Sequence, residues 1–192
     1  MTKLENEIAE LELIKVSFHE ASHAALSRHF GGQAEARIWR NLGHLERGEI
    51  AWAGNCESAF LETPRTLQQD RLICIAGLIG QELMFSKMHG NSLEEFQHEI
   101  GDWLYSVIEA GEMSETDMAG IDQDVSDDDI AEVVSVLITS YDQIESEAID
   151  LISQAKNSSS TKRKVFFLKS KKKVLENIPI SNIEGIDSFF KI

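Results

Sequence analysis

The stretch Phe18-His-Glu-Ala-Ser-His-Ala24 decides how this chain is interpreted. On an α-helix each residue advances by about 100°, so His23 lies only about 40° around the helix from His19 and one turn further along. Two imidazoles placed in this way can bind one metal ion, and Glu20 can act as a general base beside them without ligating the metal itself. The alternative is an ordinary amphipathic helix with two polar residues, because a five-residue pattern also arises by chance. The stretch favours a zinc-binding helix.

A further histidine, His29, stands ten residues after His19, where the metzincin pattern places its third ligand. That pattern requires a glycine at the position that Leu26 occupies, so that the chain can turn back toward the metal. On a continuous helix, His29 would lie about 80° to the other side of His19 and about three turns along. We therefore exclude the metzincin pattern and predict that His29 lies near the end of the helix, which Gly31-Gly32 should terminate after Phe30.

Length and composition indicate one globular domain. The chain has 192 residues, of which 42% are hydrophobic, which is enough for a substantial core. Its two cysteines, Cys56 and Cys74, form no Cys-x-x-Cys pattern, so we expect no disulfide framework and a reducing compartment. The acidic N-terminus is unlike a signal or transit peptide, and no run of about 18 apolar residues predicts a membrane span. We expect a soluble, cytoplasmic protein.

The net charge of −15 is distributed unevenly. Residues 1–156 carry ten Lys/Arg and thirty Asp/Glu, whereas residues 157–192 carry eight Lys/Arg and three Asp/Glu. This boundary predicts a metallopeptidase-like domain over 1–156 and a basic C-terminal tail over 157–192, whose lack of periodicity leaves open whether it is ordered or disordered. The acidic domain should repel nucleic acid and membranes. The basic run Lys162–Lys173 could contact nucleic acid or an acidic partner, but we favour a tail that solubilises the protein or folds back onto it.

Periodicity predicts a mainly α chain with a small β-hairpin or sheet. An amphipathic helix over residues 3–17 should run into the metal helix or pack beside it. Two short strands are predicted at Glu35–Arg40 and Gly48–Gly54. Three long helices should follow, over residues 64–87, 92–110 and 126–153.

Two further local patterns bear on how these helices pack. Ser-x-x-Glu/Asp capping boxes are predicted at Ser92–Glu95, Ser114–Asp117 and Ser126–Asp129. Gly77 and Gly80 lower the helix propensity of the segment that contains them, and such glycines often mark the close approach of another helix.

In zinc peptidases an edge strand beside the metal helix often accepts the substrate by strand addition. A purely structural hairpin explains the predicted strands equally well.

The metal helix cannot complete a catalytic zinc site alone. Catalytic zinc usually keeps three protein ligands and one open position, so a carboxylate or a third histidine must come from elsewhere in the chain. The remaining histidines lie in a predicted hairpin loop, at a helix end and on a polar helix face, where we expect them to be solvated: His44, His89 and His98.

Three segments of the chain resemble the peptidase domain of the FtsH-type membrane AAA proteases. Phe18–Ala24 is similar to that family's His-Glu-Ala-Gly-His-Ala, with Ser22 in place of glycine. Ile75-Ala-Gly-Leu-Ile-Gly-Gln-Glu-Leu-Met-Phe85 resembles its Ala-Gly-Arg-x-Ala-Glu-Glu-x-x-Phe helix. Thr116-Asp-Met-Ala119 falls where the family has an Asn/Ser-Asp segment whose aspartate is the third zinc ligand. The order of elements also agrees over residues 10–155.

The resemblance implies that His19, His23 and Asp117 ligate Zn2+ and that Glu20 is the general base. The segment before Asp117 is longer than in the family, which leaves Asp102 as a rival third ligand. An aspartate at the third position of a capping box also needs no metal to explain it.

By this resemblance the chain has a zincin-like, FtsH-peptidase-like helical domain. Its expected activity is that of a zinc metalloendopeptidase, which hydrolyses peptides or unfolded proteins with a zinc-activated water. The chain has no Gly-x-x-x-x-Gly-Lys-Ser/Thr motif, so ATP-independent hydrolysis is expected. The alternative is a catalytically inactive binding or regulatory module, which the replacements Ser22, Leu78 (for arginine) and Gln81 (for the first glutamate) keep open. The sequence does not predict the oligomeric state or the cleavage preference.

Overall fold

The computed structural model describes residues 3–41, 50–61, 63–121, 125–156 and 165–167. The chain is mainly helical with a small antiparallel sheet, as the sequence predicted. None of the helices among these residues is both long and apolar enough to cross a membrane. The elements follow in the order α1 (Lys3–His29), β1 (Gln33–Arg40), β2 (Trp52–Ala59), α2 (Leu67–His89), α3 (Leu93–Ala110), α4 (Glu115–Ala119), α5 (Asp127–Thr139), α6 (Tyr141–Lys156) and β3 (Val165–Phe167).

Helix α1 is the central element and carries the His-Glu-x-x-His stretch through the core. It is continuous over 27 residues, so the predicted amphipathic segment runs directly into the helix that contains His19 and His23. The helix packs against α2, α5, α6 and the strands β1 and β2. Ala21 and Ala24 are fully buried, and their short side chains let these neighbours approach the backbone closely. The helix ends at His29, which is exposed, and Gly31 follows with a φ of 83°. The prediction for this helix end is confirmed.

The sheet has the order β2-β1-β3, and both pairs are antiparallel. In β1 the residues Ala34, Ala36 and Ile38 face the core. The second strand was predicted at Gly48–Gly54. Residues 48 and 49 lie outside the described residues, and the strand in the structure begins at Trp52 and continues to Ala59. The predicted position was wrong because β2 is half-buried along most of its length, so its sequence carries no clear alternation, and pairing with β1 sets its extent.

Strand β3 lies within the segment that the sequence assigned to the basic tail. Val165–Phe167 pairs with Arg37–Trp39 of β1, so three residues beyond the predicted boundary belong to the sheet. Because β1 lies between the other two strands, β2 and β3 form the two edges of the sheet in the described part of the chain, and β2 is the longer edge, with eight residues against three. The division at residue 156 stays a prediction, and the basic residues of the run 162–173 lie outside the described residues.

Helix-capping side chains set where α2 and α3 begin. Helix α2 starts at Leu67 rather than at the predicted Pro64, because Thr66 is the N-cap and forms a capping box with Gln69. Helix α3 begins after the predicted box of Ser92 and Glu95. In both helices the cap satisfies backbone N–H groups that would otherwise lack partners.

The long helix predicted over residues 126–153 is two helices in the structure. The chain breaks at Ser140, whose φ and ψ are −98° and 7°, and α6 then packs along α1. The hydroxyl of Thr139 donates to the carbonyl of Ser135 at 2.8 Å, which is the kind of local bond that competes with helix continuation. Tyr141 is buried beside Phe18, with 6.2 Å between the ring centroids. The break therefore coincides with a tertiary contact, although the apolar period of the sequence runs across it.

Candidate metal centre

Two histidines of α1 and an aspartate of α4 meet in the core. The Nε2 atoms of His19 and His23 lie 2.9 Å apart. Asp117 Oδ2 is 3.3 Å from His19 Nε2, and Asp117 Oδ1 is 3.3 Å from His23 Nε2. One potential ligand atom from each of the three residues lies within 4.8 Å of those of the other two. These three side chains could hold a metal ion.

The other candidate ligands lie elsewhere. Asp102 is exposed on α3 and is not a member of the group, so the structure places Asp117, not Asp102, beside the histidines. His89 and His98 are exposed, as predicted, and His29 is exposed at the end of α1. His44 lies outside the described residues.

A short helix aims Asp117 at the histidines. Ser114 is the N-cap of α4, and its hydroxyl accepts the N–H of Asp117 at 3.1 Å. The same hydroxyl donates to Asp117 Oδ2 at 2.7 Å. The predicted capping box is therefore only half formed. The Ser114 hydroxyl caps the N–H of Asp117, but the Asp117 carboxylate faces the imidazoles rather than the backbone N–H of Ser114. Its side chain is buried.

Helix α2 contacts the outer nitrogen of each histidine. His23 Nδ1 lies 2.6 Å from the carbonyl oxygen of Ile73, and His19 Nδ1 lies 2.9 Å from the amide nitrogen of Gln81. A carbonyl can only accept, so His23 carries a proton on Nδ1, and Nε2 is the nitrogen that it presents to His19 and Asp117. Sequence analysis missed both contacts. A backbone carbonyl has no residue-type signature, and Gln81 was noted only as a departure from the family motif.

Glycines let α2 approach the histidines without an intervening side chain. A Cβ atom on Gly77 would lie 2.5 Å from the Nε2 atoms of both His19 and His23. Gly80 faces the side chain of Ser22 just as closely. The prediction that these two glycines mark a close helix contact is confirmed, and the space at Gly77 is the space in which the donor atoms converge.

Glu20 lies buried beside this group. Its side chain is 4% exposed, and Oε2 has no hydrogen-bond partner among the described residues. Strand β2 passes over it, since a Cβ on Gly54 would lie 2.5 Å from Glu20 Cγ and Oε1. Burial, together with the charge of Asp117, raises the pKa of Glu20 to about 8, although His23 opposes the shift. A carboxyl with this pKa can take up and release a proton near neutral pH.

The three candidate ligands differ in how burial and charge act on them. Burial raises the pKa of Asp117, but hydrogen bonds from His19 and His23 outweigh it and hold that pKa well below its usual range. Burial and the neighbouring His23 lower the pKa of His19. The pKa of His23 is raised, because contacts with Asp117, the charge of Glu20 and the Ile73 carbonyl outweigh burial. The group therefore presents one anionic carboxylate to two imidazoles.

The donor set fits zinc. Ligands about 2.0–2.1 Å from a tetrahedral zinc ion are about 3.3 Å from one another, which is close to the 2.9 Å and 3.3 Å separations observed. Two imidazole nitrogens and one carboxylate are a ligand set that zinc accepts, with a position left for water or substrate. Gly77 places no side chain against the donor atoms, and Glu20 Oε2 beside them has no hydrogen-bond partner among the described residues.

A cleft of about 620 Å³ gives access to the group. The cleft is lined by residues of β2, of α1 and α2, and by residues 112–114 next to α4. Cys56 and Cys74 both line the cleft as free thiols. Burial is the main cause that raises the pKa of Cys74 to about 11 and raises the pKa of Cys56 further. Without a metal both thiols are therefore protonated at neutral pH, and neither belongs to the group formed by His19, His23 and Asp117.

Comparison of the chain with protein-family models, with curated proteins and with solved structures found no match. The likeness to the FtsH-type peptidase domain therefore rests on the three segments quoted above. Function has to be argued from the geometry of the group formed by His19, His23 and Asp117 and from the cleft above it.

Proposed function

We propose that this protein is a zinc metalloendopeptidase of the His-Glu-x-x-His type, acting without ATP on peptides or unfolded proteins. The observation that carries the proposal is the convergence of His19, His23 and Asp117 beside the buried carboxylate of Glu20, in a cleft bordered by a sheet edge. Zinc, when bound by the three side chains, would activate a water molecule and polarise the scissile carbonyl. We also propose that the protein acts in the cytoplasm.

Glu20 is the proton carrier of the proposed reaction. Its Oε2 takes a proton from the attacking water and then delivers that proton to the nitrogen of the leaving amine, so that the carboxylate is regenerated. In the metal-free protein burial is the main cause that raises the pKa of Glu20 to about 8, so this carboxylate binds a proton more readily than an exposed glutamate does, which favours its role as proton acceptor. Gly54 leaves room for the β2 backbone beside this carboxylate.

The edge of β2 supports binding of an extended peptide. The strand contributes Trp52 through Cys56 and Ser58 to the cleft, and its outer edge has no strand neighbour in the described part of the chain. A peptide that adds to this edge gains main-chain hydrogen bonds largely independent of its sequence. Val16, Leu78 and Met113 line the same cleft, so its walls favour apolar side chains of the substrate.

The departures from the family motif are compatible with this proposal. Ser22 stands where the family has glycine, and it faces Gly80, where the family motif has alanine. The added volume on α1 is matched by removed volume on α2, so the two helices can keep their contact. The alternative function, a zinc-containing binding module without catalysis, differs from the proposal in what Glu20 does.

The first test is the metal content of the full-length protein purified without chelators. We expect about one zinc per chain in the parent, and none in His23→Ala or Asp117→Ala. Asp102→Ala, the rival ligand, is the matched control and should keep its zinc. A parent that takes up no zinc even when the ion is supplied would reject the proposal and the zinc-containing alternative together.

The second test separates a peptidase from a binding module. Glu20→Gln should keep its zinc but lose about 10²- to 10⁴-fold in kcat/KM on an unfolded, fluorophore-quenched polypeptide. Glu94→Gln makes the same substitution at an exposed position of α3 and should leave the rate unchanged. Zinc-loaded parent and Glu20→Gln proteins with the same negligible rate would favour the binding module.

A further inference from the structure

Gln81 stands behind His19, on the side away from the other candidate ligands. Its amide nitrogen lies 2.9 Å from His19 Nδ1. An amide N–H can only donate, so in this arrangement Nδ1 of His19 accepts. The proton of a neutral His19 imidazole must then be on Nε2.

An acceptor for this proton lies on the other side of the ring. His19 Nε2 is 3.3 Å from Asp117 Oδ2, and the Asp117 carboxyl is ionised because the hydrogen bonds from the two histidines hold its pKa well below its usual range. His23 presents its Nε2 to the other oxygen of the same carboxylate, also at 3.3 Å, while its Nδ1 donates to the Ile73 carbonyl. In this state the His19 proton occupies the space between the imidazole and Asp117 where a metal ion would be held.

Metal binding by His19 reverses its tautomer. The Nε2 lone pair must face the metal, so the proton of the neutral ring moves to Nδ1 and needs an acceptor behind it. The side chain of Gln81 carries an oxygen as well as a nitrogen, and a half-turn of its terminal amide exchanges them. We propose that Gln81 is a two-position residue, with its nitrogen toward His19 in the metal-free protein and its oxygen toward His19 when zinc is bound. The inference rests on the proposed zinc site.

The proposal makes zinc affinity depend on the side chain at position 81. A glutamate there can only accept, so it would favour the metal-binding tautomer of His19 before the metal arrives. A leucine can neither donate nor accept, and it would leave Nδ1–H of the zinc-bound ring without a partner. Outer hydrogen-bond partners of metal-bound histidines typically contribute about 10- to 100-fold to metal affinity.

The test is zinc affinity of the full-length protein, measured by competition with a chromophoric chelator. We expect Gln81→Glu to bind zinc about 10-fold more tightly than the parent and Gln81→Leu about 10-fold more weakly. Gln69→Glu is the matched control, because Gln69 lies on the same helix in a capping box that accepts glutamate equally well. Equal affinities of Gln81→Glu and Gln69→Glu would overturn the inference.

A second readout follows the proton itself and does not depend on a variant. In ¹⁵N-histidine NMR spectra of the parent, His19 should be protonated on Nε2 without metal and on Nδ1 with zinc, while His23 stays protonated on Nδ1. A His19 that carries its proton on Nδ1 in both states would show that Gln81 does not turn. Failure of the parent and every variant to bind zinc would instead reject the zinc site itself, and this outcome is distinct from zinc binding that is indifferent to residue 81.

Discussion

Two segments of this chain carry the same local pattern and serve different ends. In Ser114-Glu-Thr-Asp117 and in Ser126-Asp-Asp-Asp129 the serine caps a helix, and its hydroxyl accepts the aspartate N–H at 3.1 Å and 3.2 Å. Asp129 returns its carboxylate to the N–H of Ser126 at 3.0 Å and completes the capping box. Asp117 instead directs its carboxylate to two histidines.

The difference comes from what packs against each aspartate. Arg71 of α2 donates to Asp129 at 3.1 Å, whereas Asp117 meets imidazoles from α1. Burial opposes ionisation of both carboxyls, and in each case hydrogen bonds outweigh burial and hold the pKa below its usual range. A capping box is thus encoded by neighbouring residues in the sequence. The residues that pack against its acidic side chain determine whether that side chain stabilises the helix or can serve as a ligand.

Removing the carboxylate of Asp117 or of Asp129 should have the largest effects, and the two effects should differ in kind. Asp117→Ala should abolish zinc binding. Asp129→Ala should leave the zinc content unchanged but cost on the order of 3 kcal/mol of unfolding free energy, because buried Arg71 and the N–H of Ser126 lose an acceptor. Metal analysis and denaturant unfolding measure the two effects. Loss of zinc from Asp129→Ala would show that the two segments are not separable in this way.

Glu20 is a third buried carboxyl, and it differs from Asp117 and Asp129 because its Oε2 has no hydrogen-bond partner among the described residues. Burial raises its pKa from 4.5 to about 8, so its contribution to the stability of the metal-free protein is present below about pH 4.5 and is lost as the pH rises through about 8. The metal-free parent should therefore lose a few kcal/mol relative to Glu20→Gln over that range. Denaturant unfolding of both proteins at several pH values measures this difference. A constant difference between them would contradict the prediction.

The close packing of α2 against His19 and His23 depends on the missing side chain at Gly77. Gly77→Ala should weaken zinc binding and cost about 2 kcal/mol, since the new methyl group overlaps the imidazoles of His19 and His23. Gly101→Ala is the control, because nothing lies within 4 Å of a Cβ there and α3 should gain about 1 kcal/mol. Thermal unfolding and chelator competition test the pair. Similar stabilisation of both variants would mean that the close contact is not real.

The smallest effect concerns the serines. Ser114→Ala and Ser126→Ala should each cost about 1 kcal/mol, because each removes a helix cap. Only Ser114→Ala should also weaken zinc binding, by about 10-fold, since the Ser114 hydroxyl donates to Asp117 Oδ2. Unfolding and zinc competition on both proteins provide the measurement. Equal zinc affinities of the two variants would remove Ser114 from the support of the site.

Features that depend on a few neighbouring residues could be predicted from the sequence. The end of α1 at His29 and the start of α3 after Ser92 follow from glycine and capping-box patterns. The strand position was mispredicted because β2 has no alternating burial. The break at Ser140 has no glycine or proline to announce it, and the burial of Tyr141 against Phe18 accompanies it. These are effects of long-range packing.

The sequence by itself determined that His19, Glu20 and His23 share one stretch of helix, because the i, i+4 relation is intrinsic to helical geometry. Only the tertiary structure decided that Asp117 joins them, and that Asp102 and Asp129 do not. It also decided that Gln81 and Ile73 contact the outer nitrogens of the imidazoles. The physical reason is that these partners come from separate elements. Their carboxylate, amide and carbonyl groups are oriented by the packing of α2 and α4 around α1, which small residues such as Gly77 make possible.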